Sequence, residues 1–222
     1  MIRFQRFQAT VRVALAAATS ALAVLLLDAV SKILGGRLLG GLVSVLAVSI
    51  LALIGSAFLD TAVANSVRLR RWIAGNDFIE GWWFDLAIPP DKRACTHAAI
   101  QRIAFRHGEF HVTGTSYLRN GEQLATWSSI AAVVTGRTLF IVYEAQTNLL
   151  DNGYERGLVQ LQFDDPPNSY SGSMHDFSGQ VVRRLRGERL TGSALTEFNN
   201  LQSKSDRVAF LRSRVPEWKV TP

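Results

Sequence analysis

The sequence has little of what catalytic and metal centres are built from. One cysteine, Cys95, among 222 residues excludes an internal disulfide and a cysteine metal cluster. So few thiols fit a reducing compartment. The four histidines (His97, His107, His111, His175) have no metal-ligand spacing, and Cys95-Thr96-His97 is a pair that chance supplies. No nucleophile elbow, phosphate loop or dinucleotide fingerprint occurs. Asp164-Asp165 reads as a solvated loop rather than an acid/base pair. The expectation is a protein that is not an enzyme and takes no cofactor.

Acidic residues are scarce in the first part of the chain. Before Asn65 only Asp28 and Asp60 occur, against Arg3, Arg6, Arg12, Lys32 and Arg37. Of 24 Lys+Arg and 18 Asp+Glu, this leaves 19 and 16 for the remainder, a net charge of only +3. That is too mild for non-specific binding of DNA or RNA, and neither is expected as a partner.

What fills the first part instead is hydrocarbon. Val13 to Val30 and Leu38 to Leu59 are apolar all round, and each is near the ~20 residues needed to cross a bilayer. The connector, Ser31 to Arg37, predicts an antiparallel hairpin within residues 1–64. A cleaved signal peptide would leave the second run unexplained. Arg3, Arg6 and Arg12 before the first span, with Arg68, Arg70 and Arg71 after the second, outnumber Lys32 and Arg37 between them. Both termini are therefore expected in the cytoplasm. Gly36, Gly40, Ser44, Ala52 and Ser56 form a small-residue stripe on the second span, and Ala14, Ala18 and Ala21 one on the first. Such stripes suit close helix packing, within the hairpin or between copies.

Residues 65–76 are expected to continue the second helix as a juxtamembrane linker ended by Gly75. From there the period changes. Eight strands are predicted at about 78–87, 98–106, 109–118, 123–135, 138–148, 154–163, 169–177 and 180–190. His107-Gly108, Asn120-Gly121 and Gly136-Arg137 are short hairpin turns, and residues 164–168 a longer loop. Eight strands on short connections predict an up-and-down β-barrel at 77–191, with a small sandwich as the other possibility. Residues 192–222 read as a helical tail packed across the barrel. Its expected N-caps are Ser193 and Ser205, its apolar face is Leu195, Phe198, Leu201, Val208 and Leu211, and Pro216 is its stop.

A barrel of eight strands can hold one small ligand or fill itself with side chains. Candidate ligand-binding residues are Arg102, Thr113, Thr115, Tyr117, Trp127, Tyr143, Arg156 and Gln160, which supply cations, hydroxyls and flat rings. The competing reading makes them the ordinary polar outer face, since the sequence leaves open which face points inward. Arg183, Arg184, Arg186 and Arg189 on the last strand would meet either phosphate or anionic lipid.

Asp77-Phe78-Ile79-Glu80-Gly81-Trp82-Trp83-Phe84-Asp85 opens the barrel in the Gly-x-Trp manner of lipocalin-like folds. Gly114-Thr115-Ser116-Tyr117, Asn120-Gly121, Trp127-Ser128-Ser129 and Leu139-Phe140-Ile141-Val142-Tyr143 follow. Gly153-Tyr154-Glu155-Arg156-Gly157 and Pro167-Asn168-Ser169-Tyr170-Ser171-Gly172 with Asp176 close the series. With the two apolar spans in front, the chain resembles bacterial two-transmembrane, β-strand-rich effectors of cyclic-oligonucleotide anti-phage signalling (CBASS). The resemblance implies a cytoplasmic barrel that binds a cyclic dinucleotide, then homo-oligomerisation and disruption of the inner membrane. A membrane-tethered scaffold for a protein partner, or a carrier of an apolar ligand, are the other readings.

Overall fold

The computed structural model describes positions 9–25 except 12, 15 and 23, and positions 37–89, 95–106, 108–147, 153–177, 182–190, 192–201 and 203–215. Contacts divide the chain into two units that meet at Gly75–Asn76.

The first unit is helical. Helix α1, Ala9–Leu22, is apolar over its described residues. The end of the first predicted span, 26–30, and the connector at 31–36 lie outside the described residues. Helix α2, Arg37–Asn65, contains a stretch long and apolar enough to cross a membrane, Val45–Asn65, with mean hydropathy 2.0. Leu46, Leu53, Ile54 and Phe58 on it are exposed. Two of its hydroxyls are satisfied locally, Ser49 donating to the Val45 carbonyl at 2.8 Å and Thr61 to that of Ala57 at 2.7 Å.

Residues 67–74 do not simply prolong this helix. Ser66 is extended (φ −108°, ψ 101°) and begins a separate helix α3, Val67–Ala74, its Oγ accepting from the Leu69 N–H at 3.2 Å. Arg70 is buried and donates to the Val63 and Ala64 carbonyls at 2.8 and 2.6 Å. It thus caps the carbonyls that the break at Ser66 exposes.

The second unit is a closed antiparallel barrel. Its strands are β1 (Gly81–Ile88), β2 (His97–Arg106), β3 (Glu109–Leu118), β4 (Gln123–Thr135), β5 (Thr138–Thr147), β6 (Tyr154–Phe163), β7 (Ser169–Asp176) and β8 (Val182–Arg189). They pair in sequence order, and β8 pairs back onto β1, so no edge is left to aggregate. The predicted turns form, with Gly108, Gly121 and Gly136 at φ of 87°, 80° and 61°. Strand β1 starts at Gly81 rather than residue 78, because Phe78, Ile79 and Glu80 are buried outside the ladder.

Alternation gives the wall two faces, each apolar for its own reason. Inside, Trp83, Ile103, Val112, Leu139, Ile141, Leu161, Phe163 and Tyr170 form the core. Outside, Phe84, Ala98, Ile100 and Tyr117 meet Ala194, Phe210, Leu211 and Val215 of the tail. The tail comprises α4 (Gly192–Asn199) and α5 (Lys204–Arg214). Its caps differ from the expected ones. Helix α4 begins at Gly192, so Ser193 lies within it, and Ser203 rather than Ser205 caps α5 by accepting from the Asp206 N–H at 3.1 Å. The capping hydroxyl is the one three residues before a free N–H, and Ser203 holds that place. Pro216 lies outside the described residues.

The inner core closes one end of the barrel around rings. Trp83 is fully buried, donates from Nε1 to the Ile79 carbonyl at 3.0 Å, and stands 5.1 Å from Phe163 and 5.4 Å from Tyr170. The Arg189 guanidinium lies 4.9 Å from the Trp83 ring and donates to the Phe78 and Pro167 carbonyls. Tyr170 fits only because its partner in the ladder is Gly187, where a β-carbon would strike the ring. Gly187→Ala should destabilise the barrel by about 1–3 kcal/mol through overpacking, read by urea denaturation. An unchanged midpoint would show that Tyr170 has somewhere else to go.

Candidate functional site

The end opposite Trp83 is not filled. A cavity of about 360 Å³ lies inside the barrel there, lined by residues from β1 through β8. Its walls are mostly small or apolar: Ala87, Ala99, Ala125, Ala145, Val159 and Leu185. Polar groups enter from six of the eight strands. Asp85 and Gln101 lie deepest, Ser116 and Tyr143 line the sides, and His97, Glu155 and Arg183 lie at the ends of their strands.

The deepest polar groups form a relay. Gln101 donates from Nε2 to the Tyr170 hydroxyl, which in turn donates to the Asp85 carboxylate. Burial pushes the Asp85 pKa up to about 7, although the Tyr170 hydroxyl and the Leu86 backbone N–H pull it back. The Tyr170 hydroxyl is itself raised well above its usual value, by burial and by the neighbouring carboxylate. His97 is pushed down to about 4 by burial and then by Arg183, which keeps it neutral at physiological pH. Tyr143 is raised by burial and by Asp176 and Glu155.

Two of the eight sequence candidates reach this cavity. Trp127 and Tyr143 line it, their rings 6.5 Å apart at 70°. The other six lie on the outer face. Ladder pairing dictates this: Trp83 opposes Gln101 and Gln101 opposes Gly114, so their neighbours Arg102, Thr113 and Thr115 point outward. Arg102 is exposed with its guanidinium 5.7 Å from the Trp82 ring. Thr113 is exposed and Thr115 half-buried. Tyr117 is buried, but under the tail, with Phe198 at 6.3 Å and the Arg207 guanidinium at 5.8 Å. Arg156 pairs with Glu144 at 2.6 Å on the exterior, and Gln160 lines an outer groove with Ser171, Ser173, Arg184 and Arg186.

Alternation also splits the four arginines of β8. Arg183 lines the cavity, Arg184 and Arg186 point outward, and Arg189 covers Trp83 at the packed end. Sequence reasoning missed Asp85, His97, Gln101 and Ser116. The available signal was the fully buried-strand motif itself, since Gly81-x-Trp83-x-Asp85 places Asp85 on the same face as the core tryptophan.

The described residues include no group of three or more His, Cys, Asp or Glu side chains able to hold a metal ion. Compared with known proteins, the chain matches no protein-family model and no curated protein.

Proposed function

We propose that this chain is a membrane-anchored effector whose barrel binds a cyclic dinucleotide and whose helices carry the response. The observation that supports this reading is the interior cavity, which combines two flat rings, a buried hydrogen-bonding floor and one arginine at the strand ends. In the proposed complex one base packs against Trp127 and Tyr143 from the cavity side, and the phosphates remain at the strand ends beside Arg183. The exposed apolar surface of α2 faces lipid, a second span pairs with it as an inner-membrane hairpin, and both termini are cytoplasmic. Binding shifts the population toward a homo-oligomer whose helices repack and breach the membrane.

A second reading has its own support. About half of the lining residues are Ala, Val, Leu or Met, with a single arginine among the rest, which suits a carrier or sensor of an apolar molecule. Calorimetry on the full chain in detergent separates the two. Saturable heat with a cyclic dinucleotide, weakened at least tenfold in Tyr143→Ala, is the expected result. No heat across a panel of cyclic dinucleotides, together with displacement of a fluorescent fatty acid, would favour the carrier.

A further inference from the structure

The outer wall of the barrel carries a groove of about 530 Å³ over β6, β7 and β8, apart from the interior cavity. Its form follows from side-chain length. The central strand presents two short residues, Ser171 and Ser173, while its neighbours present Gln160 and Gln162 on one side and Arg184 and Arg186 on the other. The serines make the floor, and the longer side chains make the two banks. None of the described residues lining the groove is acidic.

Pairing sorts these six residues into two rows. Gln160 opposes Ser173, which opposes Arg184; Gln162 opposes Ser171, which opposes Arg186. Each row therefore offers one guanidinium, one hydroxyl and one amide. Residues two apart on a strand recur on the same face at about 7 Å, and that spacing separates the rows. Within a row, neighbouring β-carbons lie about 5 Å apart, close enough for three side chains to converge on one small group. Five of the six residues are exposed, and Ser173 is half-buried.

The surroundings leave this groove rich in donors. Thr138 donates to Gln162 Oε1, so the amide nitrogen of Gln162 is the end left to donate. Glu188, the next outward residue after Arg186 on β8, is engaged by Arg214 at 3.0 Å. A guanidinium beside a hydroxyl and an amide N–H matches the oxygens of a phosphate, which arginine can bind through two parallel hydrogen bonds. An ordinary solvated wall intersperses charges of both signs, whereas the described lining carries two cations and no acid.

We propose that this groove is an anion site for a molecule carrying two phosphate esters, each held by one row of Arg, Ser and Gln. The site is separate from the cavity and independent of what fills it. Two sources share this chemistry: a soluble bisphosphate, and a lipid headgroup whose two phosphates are joined through glycerol.

Calorimetry on the full chain in uncharged detergent compares glycerol 1,3-bisphosphate with glycerol 1-phosphate. The bisphosphate is expected to bind at least about tenfold more tightly, because its second phosphate reaches the second row from an already bound molecule. Arg184→Gln and Arg186→Gln should each narrow that advantage to less than about threefold. Arg102→Gln removes an exposed arginine of β2 outside the groove and should leave both affinities unchanged. Far-ultraviolet circular dichroism reports that each variant folds. The sources are separated with the full chain in phosphatidylcholine nanodiscs containing either cardiolipin or phosphatidylglycerol at equal charge. Weaker bisphosphate binding in the cardiolipin discs alone assigns the groove to the lipid, and equal binding in both assigns it to a soluble ligand.

Equal affinities for the two glycerol phosphates would overturn the paired site. So would an equal loss in Arg102→Gln, which would reduce the effect to the general charge of the surface. No binding of the bisphosphate in detergent would overturn the groove as an anion site altogether.

Discussion

Trp83→Ala is expected to lower the unfolding free energy of the barrel by about 3–5 kcal/mol, the range for removing a fully buried large ring. The cost has several parts at this position. The indole fills the packed end against Phe163 and Tyr170, so its removal leaves a cavity lined by the two remaining rings. The Ile79 carbonyl loses the donor at 3.0 Å. Arg189 loses the face it covers, and it also ties β8 to the segment before β1 through the Phe78 carbonyl. Trp82 offers the matched control, because it lies on the other side of the same strand, where it packs at the tail-covered face. Trp82→Ala should cost clearly less. Urea denaturation followed by far-ultraviolet circular dichroism makes the comparison, and equal losses for the two tryptophans would contradict an inner core organised around Trp83.

The second large effect is a pH dependence centred on Asp85. A carboxyl whose pKa rises on folding holds its proton more tightly in the native state than in the unfolded chain. The native state is therefore most favoured while that proton is bound. Stability should decline as pH rises from about 4, the unfolded value, through about 7, the folded one, and level off above it. Three units of difference correspond to about 4 kcal/mol. His97 has the opposite tendency, since a histidine held neutral destabilises the fold only as pH falls from about 6.5 toward 4. Asp85→Asn removes the first dependence and keeps the second. Relative to the unaltered protein, the variant should gain about 4 kcal/mol between pH 4 and pH 8. Parallel stability curves would show that Asp85 does not titrate in this window.

The turns and strands were legible because their signals are local. Asn120-Gly121 and Gly136-Arg137 announce hairpins, and the alternation of Gly157, Val159, Leu161 and Phe163 with Arg156, Leu158, Gln160 and Gln162 marks a strand with two unlike faces without any tertiary information. Assigning a face to every strand was harder, because this barrel is apolar on both sides where the tail covers it. Ile100 is as buried as Ile103, and Phe84 as Trp83, so hydrophobicity alone does not separate inside from outside there.

Register irregularities added to this. The pairing of β4 with β5 shifts between Ser129 and Ala131, so that Trp127 and Ser129 share the inner face with Ala132 and Val134 rather than with Ala131 and Val133. A bulge of that kind leaves no compositional mark. Polar residue types also misdirect toward the exterior. Arg102, Arg156 and Gln160 attract notice because they are charged or amide-bearing, whereas Asp85 and Gln101 sit in runs that read as core. The boundary of helix α2 had a comparable cause, since Ser66 becomes a break only through its extended backbone.

The ladder between β8 and β1 gives the barrel a particular order of assembly. Hairpins β2–β3 to β6–β7 can form as soon as their two strands exist, but Trp83 finds Arg189 across the seam only when the last strand has been made. Until then the inner rings have no fourth wall, and two raw edges stand open. A ribosome therefore cannot release a half-built barrel of partial stability; closure is a single late event. Shortening the chain anywhere within β8 should cost the whole barrel rather than one strand of it.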